Sequence, residues 1–126
     1  MDDLEAGLNK QGFAKLRHLV TITSHHTNTS ILYLGHSLFS KNMREISLQF
    51  QRYFLTNQYR DKAQIMALGR QVYPSNVKYL QNVYEDVLRI PYNNLLLDFS
   101  PNRDTCLRTT SGYFIKNKPI VVYKPL

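Results

Sequence analysis

The chain has 126 residues, enough for one domain with its own core and too few for two. Hydrophobic content of 43% with 20% charged residues excludes intrinsic disorder. No apolar run is long enough to span a bilayer, and the acidic start (Asp2, Asp3, Glu5) is unlike a signal peptide. Sixteen Lys+Arg against nine Asp+Glu leave a net charge of +7, which favours acidic partners, with nucleic acid the commonest. The lone Cys106 excludes an internal disulfide framework and fits a reducing compartment.

Read from its residues alone, the opening Asp2-Asp3-Leu4-Glu5 is the kind of acidic run that the dipole favours at a helix start. Phe13, Leu16, Leu19 and Val20 recur at helical spacing and predict a helix from about Gly12 to Thr23. Lys15, Arg17 and His18 then lie on its other faces. Four histidines raise the question of a metal, but no His-x-x-x-His or Cys-x-x-Cys pair is present. Loop histidines that hydrogen-bond are the expected outcome for His25 and His26.

The stretch Ser24 to Phe39 organises the reading. Its centre, Ile31-Leu32-Tyr33-Leu34, is a short apolar run bounded by turn formers, which predicts a strand. It does not alternate, so both faces are expected to be buried, as in a parallel sheet covered by helices. Ligands of such sheets sit beyond the carboxyl ends of the strands, where Gly35, His36 and Ser37 would lie. A short helix is expected within Asn42 to Gln49, and a second buried strand over Arg52 to Asn57.

Asp61 with Gln64 resembles a capping box, so a helix is expected from Asp61 or Lys62, with Ile65, Leu68 and Val72 inward. Tyr73-Pro74 should stop it. Ser75 is the expected cap of a further helix with the stripe Val77, Leu80, Tyr84, Val87 and Leu88. After Pro91, Leu95 to Phe99 reads as a third apolar strand and Ser100-Pro101-Asn102 as a turn. Cys106 to Thr110 reads as an edge strand with Arg108 exposed. Between Pro119 and Pro125, Ile120 to Tyr123 suits either an edge strand or a loose extension.

The run from His25 to Phe39, followed by Arg60-Asp61-Lys62, Arg70-Gln71-Val72-Tyr73-Pro74, Tyr84-Glu85-Asp86 and Leu95-Leu96-Leu97-Asp98, resembles the C-terminal half of a viral genome-packaging ATPase. The family is the FtsK/HerA-like P-loop ATPase of Polinton-type elements, adintoviruses and poxviruses. The resemblance covers about Asp2 to Arg108 and rests on the order and spacing of several short motifs. It implies an α/β fold: part of a RecA-like core, with a mainly parallel sheet and flanking helices, lacking the phosphate-loop strand. Residues 1–114 would be that partial ATPase domain, and 115–126 a tail of unassigned structure.

The same resemblance implies site residues. Asp2 and Asp3 stand where the acidic pair holds the magnesium shell and polarises the attacking water, so Asp2 is the implied metal residue. His36 stands where relatives carry a γ-phosphate-sensing glutamine, and Thr27 where an arginine is expected. Arg60, at a strand-to-helix junction, is the candidate arginine finger in a ring. ATP and magnesium are the parent family's cofactors, and ATP-driven translocation of double-stranded DNA into a capsid is its activity. Yet G-x-x-x-x-G-K-[ST] occurs nowhere, so the chain alone is expected to be inactive.

Expected partners are therefore a missing N-terminal half or a homo-oligomeric ring, and double-stranded DNA bound weakly without sequence preference. Lys15, Arg17, Lys41, Arg44 and Lys78 are the candidate phosphate contacts. The location expected is intracellular, in host nucleus or cytoplasm or with the virion. A second reading is a stand-alone basic α/β module that binds DNA or a protein without catalysis.

Overall fold

The computed structural model describes residues 9–37, 39, 43–57 and 62–125. The chain forms two compact units, divided between Phe50 and Gln51.

In the first unit, Asn9 caps helix α1 (Lys10–His18), its side-chain oxygen accepting from the Gly12 N–H at 2.9 Å. This cap starts the helix two residues ahead of the Gly12 expected from apolar spacing alone. The helix continues through a π-helical turn, Leu19–Thr23, into a last α turn, Ser24–His26. Hydroxyls of Thr21, Ser24 and Thr27 donate to the carbonyls of Arg17, Val20 and Thr23, at 2.8, 2.8 and 2.7 Å. Such back-bonding satisfies the hydroxyls within the helix and tends to bend it, and it coincides here with the departure from α geometry. Helix α2 (Arg44–Ser47) supplies Ile46 to a small core with Val20 and Met43, packed by Phe13, Leu16, Ile31, Tyr33 and Phe50. Tyr33 and Phe50 stack with centroids 5.9 Å apart.

Residues 31–34 are not a strand buried on both faces. Ile31 and Tyr33 turn to this core, whereas Leu32 is 84% and Leu34 65% exposed. The residues have the alternation of a half-buried strand, but none of the described residues pairs with them in a sheet. Without a neighbouring strand the backbone has no ladder to join.

The second unit is a four-stranded sheet with two helices: β1 (Arg52–Leu55), α3 (Lys62–Val72), α4 (Val77–Val87), β2 (Leu95–Asp98), β3 (Thr109–Ser111) and β4 (Val121–Tyr123). The spatial order is β1-β2-β3-β4 and every pairing is antiparallel, with Phe54 opposite Leu96, Leu96 opposite Thr110 and Thr110 opposite Val122. The mainly parallel, RecA-like sheet expected from the sequence is thereby overturned. The cause is the number of helices between β1 and β2. One helix carries the chain back so that the next strand runs parallel. Two successive helices cancel, and β2 starts at the end where β1 finished.

Helices α3 and α4 approach closely at Gly69, where an added Cβ would lie 3.0 Å from the Val77 carbonyl oxygen. Ile65 and Leu68 of α3, and Tyr79, Leu80, Val83, Tyr84 and Val87 of α4, are buried at the three-and-four spacing of an inward stripe. Ser75 does not cap α4. Asn76 holds that position, without a side-chain bond to the helix. Tyrosines fasten the helices to one face of the sheet: Tyr73 to the Thr109 hydroxyl at 3.0 Å, Tyr79 to the Tyr123 carbonyl at 2.9 Å and Tyr84 to the Thr56 carbonyl at 2.7 Å.

All of β2 is buried, although its sheet is antiparallel. Leu95 and Leu97 lie in the rows facing the helices, and Leu96 in the row on the other face. β1 is a half-exposed edge strand and not a buried one. β3 is an interior strand rather than an edge. Thr105–Leu107 ahead of it form a 3₁₀ turn, and Arg108 is half-buried. Of the two forms open to Ile120 to Tyr123, the chain adopts the edge strand, β4.

Candidate functional site

The expected site residues do not gather into one centre. Asp2, Asp3, Lys41 and Arg60 lie outside the described residues. His36 is exposed in a bend that follows no strand. Thr27 sits at the C-terminal end of the first helix, bonded back to it. Lys15 and Arg44 are exposed in the first unit. Arg17 there pairs with Glu45 at 2.7 Å, both side chains more than half exposed. Lys78 is exposed on α4 in the second unit.

Two constellations in the second unit escaped the sequence reading. The first is at the carboxyl end of β2. Asp98 is buried, and its carboxylate accepts from Arg52 Nε at 3.2 Å and from the Ser100 N–H at 2.9 Å, with the Ser100 hydroxyl closer still. Arg108 reaches the Asp98 carbonyl at 3.1 Å. Burial works to raise the Asp98 pKa, but the Ser100 and Arg52 bonds outweigh it and the carboxyl is held below its ordinary value. A carboxylate so committed fastens β1 to β2 and the turn after them. Three donors already lie on it, two on Oδ1 and one on Oδ2, and all three come from the chain's own Ser100 and Arg52.

The second constellation is at the opposite end of the sheet, on the face away from the helices. Phe54 points outward there, and its ring meets Tyr113 edge-on at 6.2 Å and Phe114 at 5.9 Å. The Thr110 hydroxyl, on the same face, lies 3.4 Å from Tyr113 Oη. Two segments form this end, residues 90–94 and 112–118, and buried asparagines tie them together. Asn93 Oδ1 accepts from the Gly112 N–H at 3.1 Å, and Asn94 Nδ2 donates to the Tyr113 carbonyl at 2.7 Å. Each segment carries an aromatic residue in the left-handed region, Tyr92 at φ 60° and Phe114 at φ 65°. These two are 98% and 89% exposed. A turn signal was legible in Pro91-Tyr92-Asn93-Asn94 and Gly112, but nothing local told which aromatics would face outward.

No family model, curated protein or solved structure matches the chain. Among the described residues, no group of three His, Cys, Asp or Glu side chains could hold a metal ion. The single thiol, Cys106, is exposed. No helix among the described residues is long and apolar enough to cross a membrane. The large apolar side chains that the described surface leaves exposed include Leu32 and Leu34 in the first unit, and Phe54, Tyr92 and Phe114 at the aromatic end of the sheet.

Proposed function

We propose that the chain is the C-terminal part of a viral genome-packaging ATPase, as a gene fragment or as one half of a split protein. It works by docking on a partner that carries the phosphate loop, and it is inactive alone. The parent activity is ATP-driven movement of double-stranded DNA into a capsid, inside the host cell or with the virion. The antiparallel sheet removes likeness to a parallel core as an argument. The reading is supported by the order of motifs from His25 to Asp98, and by one structural observation above all. Leu32 and Leu34, in a strand-favouring segment, are left largely in water. Exposed apolar residues in a segment that joins no sheet among the described residues are what a missing neighbour would leave.

The residues present do not fit a magnesium–triphosphate group. The phosphate-gripping loop is absent from the chain, and the described residues offer no metal cluster. The chain by itself is therefore assigned no step of hydrolysis, and the partner half supplies the nucleotide site. The stand-alone DNA-binding module remains the second reading, favoured by the +7 charge and by exposed Lys15, Arg44 and Lys78.

Hydrogen exchange separates the two. Alone, the chain should self-associate on sizing and exchange quickly at residues 31–34. With the phosphate-loop half of such an ATPase supplied in trans, it should become soluble and protected there. A sharp monomer peak with slow exchange at 31–34 in the isolated chain would refute the docking reading and leave the module.

A further inference from the structure

Left-handed backbone is a cost for a bulky side chain, on the order of 1–2 kcal/mol. In the second unit, three of the positions that bear it, Tyr92, Phe114 and Asn117, fall on the two segments joined by Asn93 and Asn94. Asparagine tolerates that region, whereas tyrosine and phenylalanine do not gain from it. Nor is the cost recovered by burial, because both rings are almost wholly in water. A second cost lies in the same place: Asn94 Oδ1 is buried and has no hydrogen-bond partner among the described residues. Strain and an unsatisfied acceptor concentrated at one end of a sheet are the pattern of a site held ready for something else.

The chemistry of the occupant follows from what surrounds the rings. Phe54, Tyr113 and Phe114 form a contiguous aromatic surface on the sheet face opposite the helices. The segment after Phe114 carries Lys116 and Lys118, both exposed. No Asp or Glu occurs in residues 87–97 or 105–126, while Arg108, Lys116, Lys118 and Lys124 all fall in the latter stretch. Arg89, beside the first segment, is already paired with Asp86 at 3.6 Å. Flat rings in water, on segments that carry Lys116 and Lys118 without an ion pair among the described residues and contain no Asp or Glu of their own, complement a chain of phosphates whose base faces are open. A duplex hides those faces in its own stack, so the rings select for a single strand.

We infer that this end of the sheet binds single-stranded nucleic acid, with bases stacking on Phe114 and Tyr92 and phosphates meeting Lys116 and Lys118. The inference stands apart from the packaging reading, and it uses none of the cations expected there to meet duplex DNA.

Fluorescence polarisation of the full chain with labelled oligothymidine tests it. A length of about 12 nucleotides suits the ~4–16 that a single domain covers. The single strand should bind more tightly than a duplex of equal length. Phe114→Asn and Tyr92→Asn, both to a residue that accepts left-handed backbone, should each weaken binding by about 5-fold or more. Replacing Lys116 and Lys118 by Ala should reduce the slope of log affinity against log salt by about 1.4. Far-UV circular dichroism confirms folding of each variant, and either aromatic variant that keeps the native spectrum is sufficient for the test. Unchanged affinity in a folded aromatic variant would overturn the inference. So would equal binding of duplex and single strand. Self-association abolished by Phe114→Asn, without oligonucleotide binding by the parent chain, would assign the patch to a protein partner and refute it too.

Discussion

Gly112 is the position where the second unit is most sensitive to one added methyl. Its φ of +92° lies in the left-handed region, where a Cβ costs on the order of 1–2 kcal/mol. The Cβ of Gly112→Ala would also lie 2.5 Å from the Pro119 carbonyl oxygen and 3.4 Å from its carbon. That neighbour is backbone, directly before Ile120 and β4, so it gives way only if the β3–β4 pairing of Ser111 with Val121 shifts. Overpacking of this kind costs typically ~1–3 kcal/mol. The two effects together predict a loss of about 2–5 kcal/mol, a large part of the ~5–15 kcal/mol that holds a small domain together. Gly69→Ala is the control. There the added Cβ meets the Val77 carbonyl at 3.0 Å, but the backbone is helical and alanine gains ~1 kcal/mol of propensity, so the net should stay within about 1 kcal/mol. The chain has no tryptophan, so urea unfolding is best followed by far-UV circular dichroism. Equal midpoints for the two variants, or a larger loss at Gly69, would refute the account of this corner.

Asp98 titrates below its ordinary value in the folded chain, so its contribution to stability is complete above the unfolded carboxylate pKa and is lost as pH falls through the lowered one. Asp98→Asn should therefore flatten the acid limb of a stability–pH curve, and an unchanged limb would show that the carboxylate is not the group responsible. Leu80 is fully buried, and Leu80→Ala should cost about 2–5 kcal/mol, whereas Leu32→Ala should stay within about 0.5 kcal/mol while reducing self-association on sizing. Magnesium-dependent ATP turnover by the isolated chain should not rise above background, and turnover that disappears in Asp3→Asn would contradict the proposed dependence on a partner half.

The local chemistry of the sequence determined the elements of the second unit. The stripe from Val77 to Leu88 placed α4, Tyr73-Pro74 closed α3, and the run at Leu95 placed β2, because each signal lies within one or two turns of chain. The direction of the strands was a tertiary decision. Leu95-Leu96-Leu97 reads as a strand covered on both faces whether its neighbours are parallel or antiparallel. The pair of helices between β1 and β2 was the available signal for the antiparallel outcome, since two antiparallel helices return the chain to the end where it began. The expectation for residues 31–34 failed for another reason. Residue type predicts that a segment favours a strand, but a strand exists only where a second one completes its hydrogen bonds, and no described residue does so. The aromatic end was the least legible. Tyr92 and Phe114 resemble core residues in composition, yet both rings stand in solvent, on segments that Asn93 and Asn94 tie to Gly112 and Tyr113. Burial is decided by what the rest of the chain leaves uncovered, and no local pattern of residues carries that information.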